Sequence, residues 1–448
     1  TIEDALRSKN SAEWRKAMDC EIASLKENQT WIMKNLPPGA KAIPCKWVVR
    51  LKKNPDGSID KYKARLVIKG FRQRYGIDYG ETFSPVAKMA TIRSILSIAA
   101  SEKMYLKQFD VSTAFLYGEL EETVFMTQPQ GYEDGTDKVY QLKRSFYGLK
   151  QAPRCWNKHL GAFLKRHEFK VSDADPCLYI REKDGRKLII VIYVEDGLLA
   201  TTEQQDMDIF IEELRSDFKI VSKKADYFLG IEIEHGENFI KIHQRSYAKK
   251  ILERFNFSES KPVATPMLKG AEISTSGKNE KVSYKVSKFP YRQAVGALMY
   301  LMLGTRPDLA YSVGFISRKL ENPTQEDVVR VKRVFRYIAG TLDQGKVYRT
   351  NADKGILEVY SDADFGGCII TGRSTSGAIV KYSGGAISWM SQRQAVVATS
   401  TTEAEIISAN EGAKEAIRLS RLFRGIIKLR DVPIIKVDNS AAVKQKLA

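Results

Sequence analysis

Helical and strand periodicities alternate along the first 270 residues. Trp14, Met18, Ile22 and Leu25 recur three or four apart, the stripe of an amphipathic helix over 11–25, with Asn10 or Ser11 as its cap. From Lys46 the period drops to two. The run CKWVVRLKK, the turn NPDG and SIDKYKARLVIKG read as a β-hairpin. On its second arm Lys61, Lys63 and Arg65 share one face, while Tyr62, Ala64 and Leu66 take the other. Helical MATIRSILSIAASEK, a strand at MYLKQFDV, a helix start at STAFLYGEL and helical QAPRCWNKHLGAFLKRH follow. LIIVIYVEDGLLA, Leu188 to Ala200, is a hairpin with two apolar arms, succeeded by a helix over about 203–217. YFLGIEIEHGENFIKIHQRSY is another hairpin, turned at EHGEN.

Residues 270–290 are polar and read as a linker, and residues 291–343 read as mostly helical. In TQEDVVRVKRVFRYIAG the side chains Arg330, Arg333 and Arg336 flank the apolar stripe. From 355 three strand-like runs (GILEVYSDAD, STSGAIVKYSG, AISWMSQRQ) precede a long helix, TTEAEIISANEGAKEAIRLSRLF, and a strand, VPIIKVD. The expected division is therefore a helical segment over 1–30, a main α/β unit over 31–269, a linker and helical connection over 270–350, and a second α/β module over 351–448.

Composition changes the picture mainly through charge. Lysine and arginine number 72 against 54 acids, a net charge of +18. Such an excess suits a polyanionic partner, because cationic side chains release counterions from phosphates. No apolar run approaches the ~20 residues that span a bilayer, so no membrane is expected. Five scattered cysteines argue for a reducing compartment, and four histidines without Cys-x-x-Cys argue against zinc. A chain that starts at Thr1 and stops at Ala448 reads as cut from something longer.

Carboxylates sit where strands end. Asp110 closes the apolar strand of QFDVSTAFL, and Glu195 and Asp196 stand at the tip of the 188–200 hairpin. Metal-assisted phosphoryl transfer needs hard oxygen ligands on rigid strand ends. Taken alone, Asp196-Gly197 is equally the favoured pair of a tight two-residue turn.

The order of the surrounding blocks decides between these readings. GSIDKYKARLVIKGFRQ, FDVSTAFLYGELEETVFMTQPQGY, SFYGLKQAPRCW, YVEDGLLA and IKIHQRSY follow one another from about Trp31 to Pro266. In this the chain resembles the reverse transcriptase of copia-type LTR retrotransposon Pol polyproteins, and MYLMLGTRPDLAYSV and RVFRYIAGT extend the likeness through the connection. The resemblance implies an α+β fold: a right-hand polymerase of fingers, palm and thumb, a helical connection, and a truncated α/β ribonuclease H-like module.

It further implies that Asp110, Glu195 and Asp196 are catalytic and bind Mg2+, two ions per active site with Mn2+ as a substitute. Lys63 and Arg65 would cradle the incoming triphosphate, Phe115 would gate the sugar, and Gln151 would hold the template–nucleotide pair. Residues 239–247 would grip the primer end. The family carries Asp-Asp where this chain has Glu195-Asp196, which moves a ligand outward by one methylene. Asp196 substitutes poorly on this reading, since strand neighbours point to opposite faces.

VYSDADFGG, the stretch from RSTSGAIV to VATSTTEAEI, and VDNSAA resemble the ribonuclease H of the same polyproteins. They imply a metal-binding catalytic set of Asp362, Glu405 and Asp438, with Glu403 and Asp364 as lesser candidates. The family's module continues into another strand and helix bearing a fourth acid, so an incomplete and weakly active module is expected here.

The expected activity is RNA-directed DNA polymerase, a nucleotidyltransferase, with ribonuclease H, both impaired, by Glu195 in the palm and by the C-terminal truncation. Its partners would be RNA template, DNA primer, RNA–DNA hybrid and deoxynucleoside triphosphates, with homodimerisation left open. The expected location is a cytoplasmic retroelement particle, the nucleus being the alternative. The competing reading is a catalytically dead relic that binds nucleic acid through its basic surface. His235 and His243 are expected in surface or stacking roles, and Cys155 and Trp156 in helix packing. The Asp-Ser/Thr-Gly of an aspartic protease and the His/Cys cluster of an integrase are absent from the sequence.

Overall fold

The computed structural model describes residues 2–53, 58–268, 289–350, 352 and 355–444. The NPDG turn and nearly all of the 270–290 linker lie outside the described residues.

A six-stranded sheet forms the palm. Tyr105–Val111 and Asp196–Thr201 pair antiparallel at its centre, flanked by Arg186–Tyr193, Asp175–Lys183 and Lys170–Ser172 on one side and Ile220–Lys224 on the other. The apolar run at 188–200 has no polar face because both faces are covered. Ile189, Val191, Leu198 and Ala200 pack toward the helix Met89–Ser101 and the C-terminal module. Ile190 and Leu199 pack toward the helices Ala152–Arg166 and Gln204–Asp217.

The fingers carry the expected hairpin, Cys45–Lys53 against Ile59–Ile68. Its alternation holds, with Ala64, Leu66 and Ile68 buried and Lys61, Lys63 and Arg65 on the other face. The helix Ser11–Glu27 buries Trp14, Met18, Ile22 and Leu25 against this hairpin. Asn10 stands at its cap position without a side-chain capping bond. Glu21 accepts from the Leu66 amide at 3.2 Å and so closes an edge of the hairpin. Burial holds the Glu21 carboxyl above its ordinary value.

Beyond the palm, the hairpin Ile231–His235/Phe239–His243 continues into Lys346–Arg349, and the helices Tyr291–Gly304, Ala310–Ser317 and Gln325–Ala339 form the connection. In the C-terminal module Thr375–Tyr382 lies between Gly385–Arg393 and Glu358–Asp364, and Glu358–Asp364 pairs parallel with Ile434–Val437. The helix Thr401–Arg424 covers one face of that sheet.

Three expectations are corrected. STAFLYGEL does not start a helix: it forms a single 3-10 turn, Ala114–Tyr117, ended by extended Gly118. His243 is buried, not at the surface, and its Nε2 meets Glu234 Oε1 at 2.7 Å. The core also ignores the boundary expected near 350. Palm, the hairpin Ile231–His235/Phe239–His243 and the C-terminal module share one hydrophobic cluster, running from Ile92 through Leu198 and Ile242 to Val380 and Phe423.

Candidate functional site

Strand register assembles the palm acids. Asp196 pairs with Tyr193 on its own hairpin and with Asp110 on the neighbouring strand. Two residues directly opposite on paired strands project to the same face with Cβ atoms ~5 Å apart. Asp196 is therefore the carboxylate set against Asp110, contrary to the expectation that it points away. The same register makes Val194-Glu195 the two-residue turn, not Asp196-Gly197. Gly197 serves packing instead, since a Cβ there would overlap the Phe109 ring across the strand pair.

The turn is strained and pinned. Val194 adopts φ +58°, a left-handed conformation costly for a β-branched residue. Its carbonyl accepts the Trp156 indole N–H at 2.6 Å, and the Glu195 carbonyl accepts the Val111 amide at 3.0 Å. Trp156 thus does more than pack a helix. Burial pushes the Asp196 carboxyl up to about 6, reinforced by Asp110 and Glu195. Burial also raises Glu195, with Asp110 adding to the effect and the Arg65 and Lys63 cations opposing it. Charge that repels itself in a half-buried recess suits a divalent cation held by oxygen ligands.

The fingers close over these acids. Burial depresses the Lys63 ammonium and neighbouring Arg65 and Lys52 add to this, while Asp110 and Glu21 pull the other way. Arg65 lies 4.1 Å over the Tyr147 ring, and Tyr147 meets Phe115 edge-on at 4.9 Å. Lys63 and Arg65 therefore lie within electrostatic reach of the palm acids, and Phe115 packs on Tyr147 beside Arg65.

Gln151 is held within the protein by three side-chain hydrogen bonds. It is 2% exposed, donates to the Asp78 carbonyl at 2.9 Å and Glu122 Oε2 at 3.2 Å, and accepts from Gln73 at 2.8 Å. Both of its amide N–H groups are bonded within the protein.

The second acidic set is tighter. Single oxygens of Asp362, Glu405 and Asp438 lie within 4.8 Å of one another, and this is the only such triad among the described residues. Glu405 is 7% exposed. Its Oε1 accepts from the Ala363 amide at 3.3 Å, while its buried Oε2 has no partner. Burial raises the Glu405 carboxyl, and Asp362 and Asp438 add to that. An orphaned carboxylate oxygen beside two other carboxylates fits a hard divalent cation. Glu403 is occupied elsewhere, accepting from the Thr399 amide and hydroxyl at 2.7 Å in the turn before its helix. Asp364 lies two residues along the strand from Asp362, outside the triad.

Sequence reasoning missed Val194, Tyr147 and Glu122. Val194 alone carried a signal, as a β-branched residue one position before a carboxylate at a hairpin tip.

Comparison with known proteins bears on the whole chain. The family model for reverse transcriptase (RNA-dependent DNA polymerase) matches residues 28–269. The Retrovirus-related Pol polyprotein from transposon TNT 1-94 of Nicotiana tabacum is 40% identical over 99% of this chain and 34% of that protein. Its counterpart from transposon RE2 of Arabidopsis thaliana is 36% identical over 98% of this chain and 30% of that protein. The putative transposon Ty5-1 protein of Saccharomyces cerevisiae is 31% identical over 68% of this chain and 99% of its own length. The chain thus spans about a third of its plant relatives. A foamy viral protease–reverse transcriptase solved with double-stranded DNA shares the fold. The TM-score is 0.53 at 13% identity, over 91% of this chain and 61% of that one. Fold, register and relatives agree that this chain belongs to the reverse transcriptase (RNA-dependent DNA polymerase) family, in the form carried by Pol polyproteins of copia-type transposons.

Proposed function

We propose that the chain extends a DNA primer on an RNA template and, through its C-terminal module, hydrolyses the RNA strand of the resulting hybrid. The observation that carries the polymerase reading is the direct pairing of Asp110 with Asp196 beneath the Lys63 and Arg65 face of the fingers. Asp110, Asp196 and Glu195 would hold Mg2+ or Mn2+ in the palm, and Asp362, Glu405 and Asp438 would hold it in the C-terminal module. When bound, such ions stabilise the attacking and leaving oxygens of an in-line displacement. Lys63 and Arg65 would draw in the triphosphate of a deoxynucleotide, and Phe115, braced by Tyr147, would support its sugar. The primer 3′-hydroxyl then attacks the α-phosphate and pyrophosphate leaves. The hybrid would be recognised by backbone and shape. We place this work in a cytoplasmic retroelement particle.

Glu195 favours a second reading, a relic that binds nucleic acid without catalysis. The palm acids do not meet as closely as the C-terminal triad. A ligand displaced by about 1 Å costs on the order of 100-fold in rate. Primer extension on a homopolymer template by the parent chain and by Glu195→Asp separates the two. On the polymerase reading the variant gains on the order of 100-fold. Salt-sensitive hybrid binding with no extension by either protein would establish the relic.

A further inference from the structure

Where the palm meets the connection, a two-residue turn is held in a costly shape. Tyr227–Phe228 pairs antiparallel with Ile231–His235, Phe228 opposite Ile231, so Leu229 and Gly230 alone reverse the chain. Leu229 has φ +49° and Gly230 has φ +80°. Asparagine, aspartate and glycine adopt a turn with two left-handed residues readily, whereas leucine at its first position is strained. Strain of this kind persists only where surrounding groups hold it.

The holder comes from the connection. Tyr300, on the helix Tyr291–Gly304, donates its hydroxyl to the Leu229 carbonyl at 3.0 Å. Gly230 admits no side chain, since a Cβ there would overlap the Tyr300 hydroxyl oxygen. Tyr300 is 40% exposed, so packing alone does not account for its place. Tyr247 braces it, meeting the Tyr300 ring edge-on at 4.7 Å and donating to the Ala297 carbonyl one turn earlier on the same helix. The end of that helix is fixed to the palm, where Arg93 donates to the Leu303 and Gly304 carbonyls. Tyr300 is thus a strut on an anchored helix.

The turn it supports adjoins the palm acids. Tyr193 pairs with Asp196, and Tyr193 and Leu229 pack against the same core cluster. Burial raises the Tyr300 hydroxyl above its ordinary value, and the Tyr227 and Tyr193 hydroxyls add to this, so both lie within electrostatic reach of it. We propose that Tyr300 is a positioning residue for polymerisation: through the Leu229 carbonyl it sets the turn that steadies the primer terminus at Asp110 and Asp196. The proposal rests on the polymerase reading for the identity of that terminus.

The test reads the terminus directly, so a chain that cannot extend a primer still answers it. A DNA primer on an RNA template carries 2-aminopurine as its 3′-terminal base. The anisotropy of that base is measured with the full chain at saturation, and a dye at the far end of the template gives the affinity for the hybrid. The parent should immobilise the base. Tyr300→Phe keeps the ring and removes the hydroxyl, and should return the base toward its mobility in free hybrid with Kd unchanged. Tyr291→Phe removes a hydroxyl from the other end of the same helix, where it donates to the Ile316 carbonyl at 2.7 Å. That variant should lower thermal stability and leave the base held, which separates positioning from a general loosening of the connection. In the Glu195→Asp background, Tyr300→Phe should lower kcat on the order of tenfold with the nucleotide KM unchanged. A base equally immobile in the parent and in Tyr300→Phe overturns the proposal, as does a base that stays mobile in the parent. A base held by the parent and released by Tyr300→Phe, with no extension by any of these proteins, supports the role of Tyr300 and overturns only the polymerase reading.

Discussion

In the palm, burial and two neighbouring acids move the Asp196 carboxyl from an ordinary 3.8 to about 6. The folded chain keeps a proton that the unfolded chain releases across that window. Stability from this residue is therefore greatest below the ordinary value, falls as pH climbs toward 6, and stays low above it. In metal-free buffer near neutral pH, Asp196→Asn should stabilise the chain by about 1 kcal/mol, after discounting for solvent at a half-exposed group. At about pH 4 the gain should vanish. Urea unfolding at the two pH values measures this, and an equal gain at both would contradict it. At this scale the sequence identified the acids but not their division of labour. Pattern marked Glu195 and Asp196 as neighbours, while register decided which one faces Asp110.

At the scale of the element, the helix Ala152–Arg166 organises the palm. Its Trp156 indole clamps the Val194 carbonyl, and Gln151, immediately before it, accepts a hydrogen bond from Gln73. Trp156→Phe keeps an aromatic ring in the core and removes the N–H, leaving a strained turn without its clamp. The expected cost is about 1 kcal/mol of stability. In the Glu195→Asp background, steady-state kinetics should show a lower kcat with an unchanged nucleotide KM. A rise in KM alone would mean that the turn is held by other contacts. Periodicity exposed this helix and its apolar stripe clearly. Nothing in the spacing indicated that one indole nitrogen reaches a hairpin tip 38 residues away.

For the whole molecule, the decisive feature is the core shared by palm and C-terminal module. At its edge Arg93 is buried on the helix Met89–Ser101. It donates to the carbonyls of Ile387 at 2.7 Å, Leu303 at 2.7 Å and Gly304 at 3.0 Å, and lies 3.8 Å over Trp389. Burial lowers its guanidinium to about 10, and the carbonyl oxygens that receive its N–H groups keep it solvated. One side chain thereby ties palm, connection and C-terminal module together. The parent should unfold in a single calorimetric transition. Arg93→Met should lower its stability by about 3–5 kcal/mol, because buried carbonyls lose their donor, and should release the C-terminal module as a separate earlier transition. Two independent transitions in the parent would refute a shared core.

Local chemistry was readable in the chain itself. The amphipathic stripe of the first helix, the alternating fingers hairpin, the doubly buried arms around residues 188–200 and the order of the acidic blocks all depend on neighbours within a few residues. Pattern carries that information directly. The flanking strand Ile220–Lys224 on Tyr105–Val111, the pairing of Asp196 with Asp110, the bond of Gln151 to Gln73 and the bridge through Arg93 depend on partners far away in sequence. Only folding brings such partners within bonding distance, because a hydrogen bond or a strand register is a relation between two segments and neither segment encodes it alone.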